Sequence, residues 1–446
     1  MKTVLVIEAQ QALRSRVTPG LDAQEWFVLD AKDQDHALAL ARQHQPELIL
    51  CDWQHPWSDI GRSCRNLAHQ NEASIRTPIL IATGSGKIAE KIAALESGAD
   101  EYIANSVDSQ ALGEFLGRLS ANGKNGDTPK LNGAKGGASE TRLRFWGVRG
   151  SIASPGSETV NYGGNTSCIE IRVGGEILIL DAGTGIRKLG RALVEEFKNR
   201  PVHLNLLISH SHWDHIQGFP FFQPAYDPNF NLTIYGYEGA QLGLQSTLAS
   251  QMENPNFPIA MRQMPAHIAI RELNEMSFRV GALAVKAHFV NHPGVCVGYR
   301  IFTPAGSISY LPDVELFQQR RTSWKTASGG APPQELGAVP EEDRSTLEFV
   351  RGSDVLVLDS QYDPAEYNQK IGWGHSCFED SVTFAMQGGV KRLFMFHHDP
   401  DHGDEKISRM LAHARDMAQQ AHSPIIIEAA REGCEVALPA VRALAH

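Results

Sequence analysis

The stretch ANGKNGDTPKLNGAKGGASE, residues 121–140, limits what this chain can fold into more than any other feature. Over twenty positions it offers one large apolar side chain, Leu131, among glycines, asparagines and lysines. Neither a buried strand nor an amphipathic helix can run through such a segment, because neither would have a face to bury. It reads as a flexible linker, and the 446 residues then divide into a unit over 1–120 and a larger one over 141–446. A hydrophobic content of 42% is enough to give each unit its own core.

In the first unit, short apolar runs (TVLVI, ELILC, PILIA) alternate with the helical spacing of DHALALARQH and KIAEKIAALESG. Repeated β-α units of this size predict a doubly wound parallel sheet with its functional crevice at the carboxyl ends of the strands. Glu8, Asp52 and Thr83 stand at those ends, with Asn105 after EYIA. The set resembles the receiver domain of bacterial response regulators. Asp52 falls at that family's phosphoacceptor position, Thr83 at its Thr/Ser position and Tyr102 at its switch aromatic. Glu8 takes the place of the first acid, but Ala9 replaces the second, and Asn105-Ser106 stand where the family has Lys-Pro. The resemblance therefore implies a degenerate receiver. One Mg²⁺-holding acid and the cation that meets the phosphoryl charge are missing, so the expected role is protein contact or dimerisation rather than a working phospho-switch.

The second unit is rich in strand-like runs: GEILILD, LNLLIS, LTIY, LAVKAHFV, VGYRI, SISYL, DVLVLD, RLFMF and PIIIE. The segment after Asp181 puts Ile186, Leu189, Leu193, Val194 and Phe197 on one helical face. Two packed sheets flanked by helices fit this pattern. Directly after LNLLIS comes HSHWDH, with three histidines and an aspartate in six positions. His210 and His212 alternate on extended backbone and point to one side, while Asp214 and His215 follow where the chain turns. Two pairs of nitrogen and carboxylate donors without thiolate suit two divalent ions, Zn²⁺ first, with Mn²⁺ or Fe²⁺ as alternatives.

The hexapeptide and its surroundings, about residues 142–435, resemble the metallo-β-lactamase superfamily, which implies an αββα sandwich. By that resemblance Asp181 in ILILDAG orients ligands from behind. His292 in FVNHPGV, Asp313 in SISYLPD and His397 in RLFMFHHDP complete the metal set. The implied assignment gives one ion His210, His212 and His292, and the other Asp214, His215 and His397. Asp313 and a water-derived hydroxide would bridge the two ions. His288 reads as an ordinary strand residue, and His398, Asp399 and His402 as outer support or solvated surface.

Two further residues narrow the class. His375 in GWGHSCFED precedes His397 by 22 positions, and Asp359 ends VLVLDSQY. Members similar to ribonuclease Z and related phosphodiesterases carry a Gly-His-Ser/Thr segment about there, supported by an acid that is usually Glu; here it is Asp. The resemblance implies a dinuclear phosphodiesterase in which His375, held by Asp359, protonates the leaving alkoxide, with Asp214 also in the catalytic centre. A small or cyclic nucleotide diester is the expected substrate. A net charge of -10 speaks against a broad nucleic-acid footprint. A lactonase or thioesterase on the same ions, and a signalling adaptor with little turnover, are the alternatives. A signalling protein or a second copy of the chain are the expected partners of the receiver-like unit.

Arg149 is open to a phosphate-binding or a plain turn role. The polar segment 314–346 is read either as a substrate-gating loop, offering Arg320, Arg321 and Lys325, or as a disordered insertion. Six cysteines without a CxxC pair fit a reducing compartment, and no apolar run is long enough to span a bilayer. The expected location is the cytoplasm.

Overall fold

The computed structural model describes residues 2–7, 26–31, 34–52, 79–83, 101–104, 140–198, 200–237, 243–254, 256–328 and 339–438. The chain divides into two compact units, Met1–Ala134 with Asn274–Ser277, and Lys135–Leu273 with Phe278–His446.

Five strands are described in the first unit: β1 (Lys2–Ile7), β2 (Trp26–Ala31), β3 (Leu48–Asp52), β4 (Ile79–Thr83) and β5 (Glu101–Ala104). All pair in parallel in the order β2-β1-β3-β4-β5. Val4, Leu5, Val6, Leu48, Ile49 and Leu50 are completely or almost completely buried, as central parallel strands require. Helix α1 (Gln34–His44) packs against β1 and β2. Asp52 and Thr83 are the last residues of β3 and β4. Glu8, Asn105 and Ser106, and the expected KIAEKIAALESG helix, lie outside the described residues.

The second unit holds two seven-stranded sheets. One runs β11 (His267–Glu272), β10 (Phe230–Gly236), β9 (Val202–Leu207), β8 (Glu176–Leu180), β7 (Cys168–Val173), β6 (Thr141–Gly147), β19 (Glu435–Leu438). The other runs β12 (Ser277–Val280), β13 (Leu283–Phe289), β14 (Val297–Thr303), β15 (Gly306–Leu311), β16 (Val355–Asp359), β17 (Arg392–Phe396), β18 (Ile426–Ala429). Helix α2 (Gly185–Glu196) lays Ile186, Leu189 and Leu193 on the first sheet, and each such burial contributes about 1.5–3 kcal/mol. Two short helices follow, α3 (Trp213–Ile216) and α4 (Gly243–Ser250). Helices α5 (Gln318–Ser328), α6 (Arg344–Val350), α7 (Pro364–Lys370), α8 (Phe378–Gln387) and α9 (Asp404–Gln420) follow, and α8 and α9 pack on the second sheet. Its core includes Leu356, Leu358, Val382, Phe384, Leu393, Met395 and Ala414.

Part of the segment 314–346 departs from a disordered insertion, while residues 329–338 lie outside the described residues. The described parts are ordered into α5 and the start of α6. Arg321 lies buried in a two-pronged pair with Asp380, Nε at 3.0 Å and Nη2 at 2.6 Å. The guanidinium offered to an anion is thus already engaged in anchoring α5 to α8.

Candidate metal centre

Strand ends from both sheets of the second unit converge on one spot. The HSHWDH segment leaves β9 in extended conformation, and α3 then turns Asp214 and His215 inward. His292 follows β13, Asp313 follows β15 and His397 follows β17. Asp181 and His397 both adopt left-handed backbone, at φ 60. For non-glycine residues this costs on the order of 1 kcal/mol or more, and such strain concentrates at functional sites.

The donors fall into two main groups, His210, His212, His292 and Asp313, and Asp214, His215, Asp313 and His397, with a third, Asp359, His375 and His397, overlapping the second. Within each, the candidate ligand atoms lie within 4.8 Å of one another. Asp313 belongs to both main groups. Its Oδ2 is 3.6 Å from His210 Nε2 and 3.8 Å from His292 Nε2, while its Oδ1 is 3.0 Å from His215 Nε2 and 3.3 Å from His397 Nε2. One carboxylate oxygen therefore serves each main group.

The ring nitrogens are held for this purpose. His215 Nδ1 is 2.7 Å from Asp181 Oδ2, which also accepts from Ser209 Oγ and Tyr310 Oη. His292 Nδ1 donates to the Gly374 carbonyl at 2.8 Å, and His397 Nδ1 to Gln361 Oε1 at 2.9 Å. With Nδ1 as donor, each ring turns the Nε2 lone pair to the cluster. His212 presents Nδ1 instead, 3.0 Å from His292 Nε2.

Electrostatics agree with cation binding. Burial pushes His210 well below the ordinary histidine range and His292 down to about 4, so both rings are neutral donors. Burial also opposes a charge on His215, yet Asp313, Asp214 and Asp181 raise it well above the ordinary value, which marks a place that calls for positive charge. His210 Nε2 is buried without a hydrogen-bond partner, and His215 Nε2 and Asp313 Oδ1, though 3.0 Å apart, are not aligned for a hydrogen bond to each other or to any other group. Orphaned polar atoms of this kind are costly unless something binds them, and the donor set fits divalent ions.

Beside the cluster, Asp359 Oδ2 lies 2.8 Å from His375 Nδ1, so the aspartate reaches although the resemblance favours glutamate. The carboxylate is fully buried and also accepts from the backbone N–H of Val314 and Gln361. The His375 ring stacks on His397, with centroids 4.8 Å apart, and meets His292 edge-on at 5.3 Å. Burial lowers the His375 pKa, but Asp359, with Asp313 and Asp214 adding to it, outweighs burial and the ring is raised to about 9.

The structure relocates several other residues. Arg149 is fully buried and ties loops together by donating Nε and Nη1 to the carbonyls of Gly163, Asp399 and His402, while its Nη2 is buried without a hydrogen-bond partner. His398 bonds the Ala430 carbonyl, His402 bonds Glu366 and His288 bonds Thr346, each away from the cluster. Asp399 reaches it indirectly, accepting from Gln361 Nε2 at 3.1 Å. Sequence reasoning did not single out Gln361, Ser209, Glu315 or Ser151, whose N–H donates to Asp214 Oδ2 at 2.8 Å. All are ordinary residue types between motifs, and only folding brings them to the site.

Fold and site together define a receiver domain joined to a metallo-β-lactamase-fold domain. In comparison with known proteins, residues 4–116 match the response regulator receiver domain, and residues 177–328 match the beta-lactamase superfamily domain. Among curated relatives, the phosphate regulon transcriptional regulatory protein PhoB of Pseudomonas aeruginosa is 30% identical over 27% of this chain and 51% of its own. The chain spans about half the length of the receiver-containing relatives it matches first. Ribonuclease Z of Picrophilus torridus is 24% identical over 60% of this chain and 88% of its own. Among solved structures, the metallo-beta-lactamase fold protein YhfI from Bacillus subtilis is 16% identical with a TM-score of 0.46, covering 67% of this chain and 99% of that one. The superfamily domain and the His/Asp cluster identify a divalent-metal site.

Proposed function

We propose that this protein is a dinuclear metal-dependent phosphodiesterase acting on a small or cyclic nucleotide diester, with its receiver domain as a regulatory or dimerising module. His210, His212 and His292 would hold one ion, Asp214, His215 and His397 the other, with Asp313 shared. When bound, two divalent ions, Zn²⁺ first by donor type, would polarise a phosphoryl oxygen and make water a nucleophile near neutral pH. Asp181 fixes the tautomer of His215. His375 gives the proton on its Nε2 to the leaving oxygen as the phosphorus–oxygen bond breaks, and Asp359 holds the ring by Nδ1. Water supplies the oxygen of the new bond to phosphorus, so a linear diester gives a monoester and an alcohol, and a cyclic one a single monoester carrying the freed hydroxyl.

The Asp359–His375 pair, held against the cluster, carries this reading. An alkoxide leaves poorly without a proton donor, and this one is in place. A lactonase or thioesterase on the same ions has less need of it, and a non-catalytic adaptor has none. Kinship with the superfamily domain and with ribonuclease Z supports a hydrolase. The cysteines described (Cys51, Cys168, Cys296, Cys377 and Cys434) are free, which supports a cytoplasmic setting, and among the described residues no helix is long and apolar enough to cross a membrane.

The test is metal analysis with a panel of bis-p-nitrophenyl phosphate, cyclic nucleotides, lactones and thioesters. Asp313→Ala should lose metal and activity together. His375→Ala should keep metal and lose about 10²–10⁴-fold in rate on alkyl diesters, and less on the nitrophenyl ester, whose leaving group needs no proton. Turnover of lactones alone, with His375→Ala silent, would sink the proposal.

A further inference from the structure

We propose that Glu315 is a positioning residue that holds the ligand His292 and the proton donor His375 in register; this rests on the reading of the cluster as a metal site. Glu315 stands two residues after Asp313 and is almost completely buried. Its carboxylate accepts three hydrogen bonds, from Tyr367 Oη (2.8 Å), Gly372 N (2.7 Å) and Gly374 N (2.8 Å). A buried carboxylate spent on backbone N–H groups fixes a turn that would otherwise leave those donors unsatisfied.

What the turn carries makes this matter. The Gly374 carbonyl is the acceptor for His292 Nδ1, and His375 is the next residue. Gly374 has φ +91, and a Cβ there would lie 2.5 Å from His292 Nδ1, so turn and ligand ring are in close apposition. The backbone of Glu315 works from the other side. Its N–H donates to the Asn291 carbonyl, and its own carbonyl accepts from Asn291 Nδ2, which pins the residue before His292. Flanking residues extend the clamp, since Ser376 Oγ donates to the Val314 carbonyl and accepts from Leu316 N. One short segment thus begins at the shared ligand and grips the chain beside His292 and beside His375.

The test compares Glu315→Ala and Glu315→Gln with wild type and with Tyr367→Phe, which removes one donor and leaves the glycine turn. Two readouts do not depend on turnover. One is the Zn²⁺ dissociation constant by chelator competition on folded protein, and the other is the visible absorption of the Co²⁺-loaded protein. Loss of an outer support of this kind is expected to weaken Zn²⁺ about 10–100-fold and to alter the Co²⁺ spectrum. Glu315→Gln keeps one acceptor oxygen but turns an amide toward the glycine N–H groups, so it should fall between wild type and alanine; Tyr367→Phe should stay near wild type. If Glu315→Ala does not fold, Glu315→Gln is judged by the same two readouts. Wild-type Zn²⁺ affinity and Co²⁺ spectrum in the folded glutamate variants would overturn the proposal, even if their melting temperatures fall. A wild-type protein that binds Zn²⁺ but cleaves no diester would defeat the phosphodiesterase reading and leave this test intact.

Discussion

Gly150 shows how tightly the centre is packed by residues that do no chemistry. A Cβ built there would lie 2.3 Å from His397 Nδ1 and 2.4 Å from its Cε1. The imidazole is buried, held by Gln361 and stacked under His375, so it cannot swing aside without giving up one of these. Gly150→Ala is therefore expected to weaken Zn²⁺ binding about 10–100-fold, as loss of a ligand's support does, while a melting curve of the metal-free protein moves little. Chelator competition and thermal unfolding in excess EDTA measure the two separately; unchanged affinity would show that His397 tolerates displacement. The contrast with the candidate ligands is instructive. Histidines and aspartates stand out in sequence because few other roles put such residues at the ends of buried strands. Gly150, Gln361 and Glu315 carry no such mark. Their effect comes from contacts across 247, 36 and 59 positions, to His397, His397 and Gly374, and a sequence shows none of these.

Strands buried on both faces, such as RLFMF and VLVLD, are plain in the sequence because nothing polar can interrupt them. The edge strands β2, β11, β12 and β19, and the interior strands β6 and β7, are short or interrupted by charged residues, and the sequence pattern does not mark them as strands. Helix α5 was missed for a different reason. Its sequence QQRRTSWKTAS lacks an apolar stripe, and its hold on the fold is the buried Arg321–Asp380 pair instead. Next to that pair, Asp343 accepts from Phe317 N at 2.8 Å at the entry to α5. Burial pushes its carboxyl up to about 7, the Phe317 N–H pulls it back, and the nearby Glu342 and Asp380 add to the rise. The sign follows from linkage. An acid raised in the folded state favours folding while protonated, so its contribution is full below the ordinary carboxylate pKa and is lost as pH climbs through about 7. Asp343→Asn keeps an oxygen for Phe317 N and removes the charge. It should stabilise the protein by about 1 kcal/mol at pH 8 and by nearly nothing at pH 4. Denaturant unfolding at the two pH values checks this, and a gain that is equal at both would refute the assigned cause.

Across the whole chain, the two units differ in how complete their chemistry is. The larger one brings every candidate ligand to a single point, with the proposed proton donor His375 and Asp359 alongside. The smaller one has the parallel strand order of a receiver and ends β3 on Asp52, yet Ala9 and Asn105 stand where an acid and a lysine belong. Phosphorylation of an aspartate needs a cation to neutralise the incoming phosphoryl group, and signalling needs a partner for the charge once it is attached. With Ala9 in place of one acid, Mg²⁺ is expected to bind weakly, and with Asn105 in place of the lysine an acyl phosphate at Asp52 would have less to hold it. The full-length protein incubated with acetyl phosphate and Mg²⁺ should therefore show little Asp52-dependent mass gain on intact-protein mass spectrometry. Asp52→Asn should leave diester hydrolysis within about twofold, a change of about 0.4 kcal/mol in the barrier. Restoring the pocket with Ala9→Asp and Asn105→Lys should raise labelling, because the two substitutions supply the missing cation site and counter-charge. Stoichiometric labelling of the unaltered chain, lost in Asp52→Asn, would make the receiver a working switch and turn attention to how it governs the hydrolase.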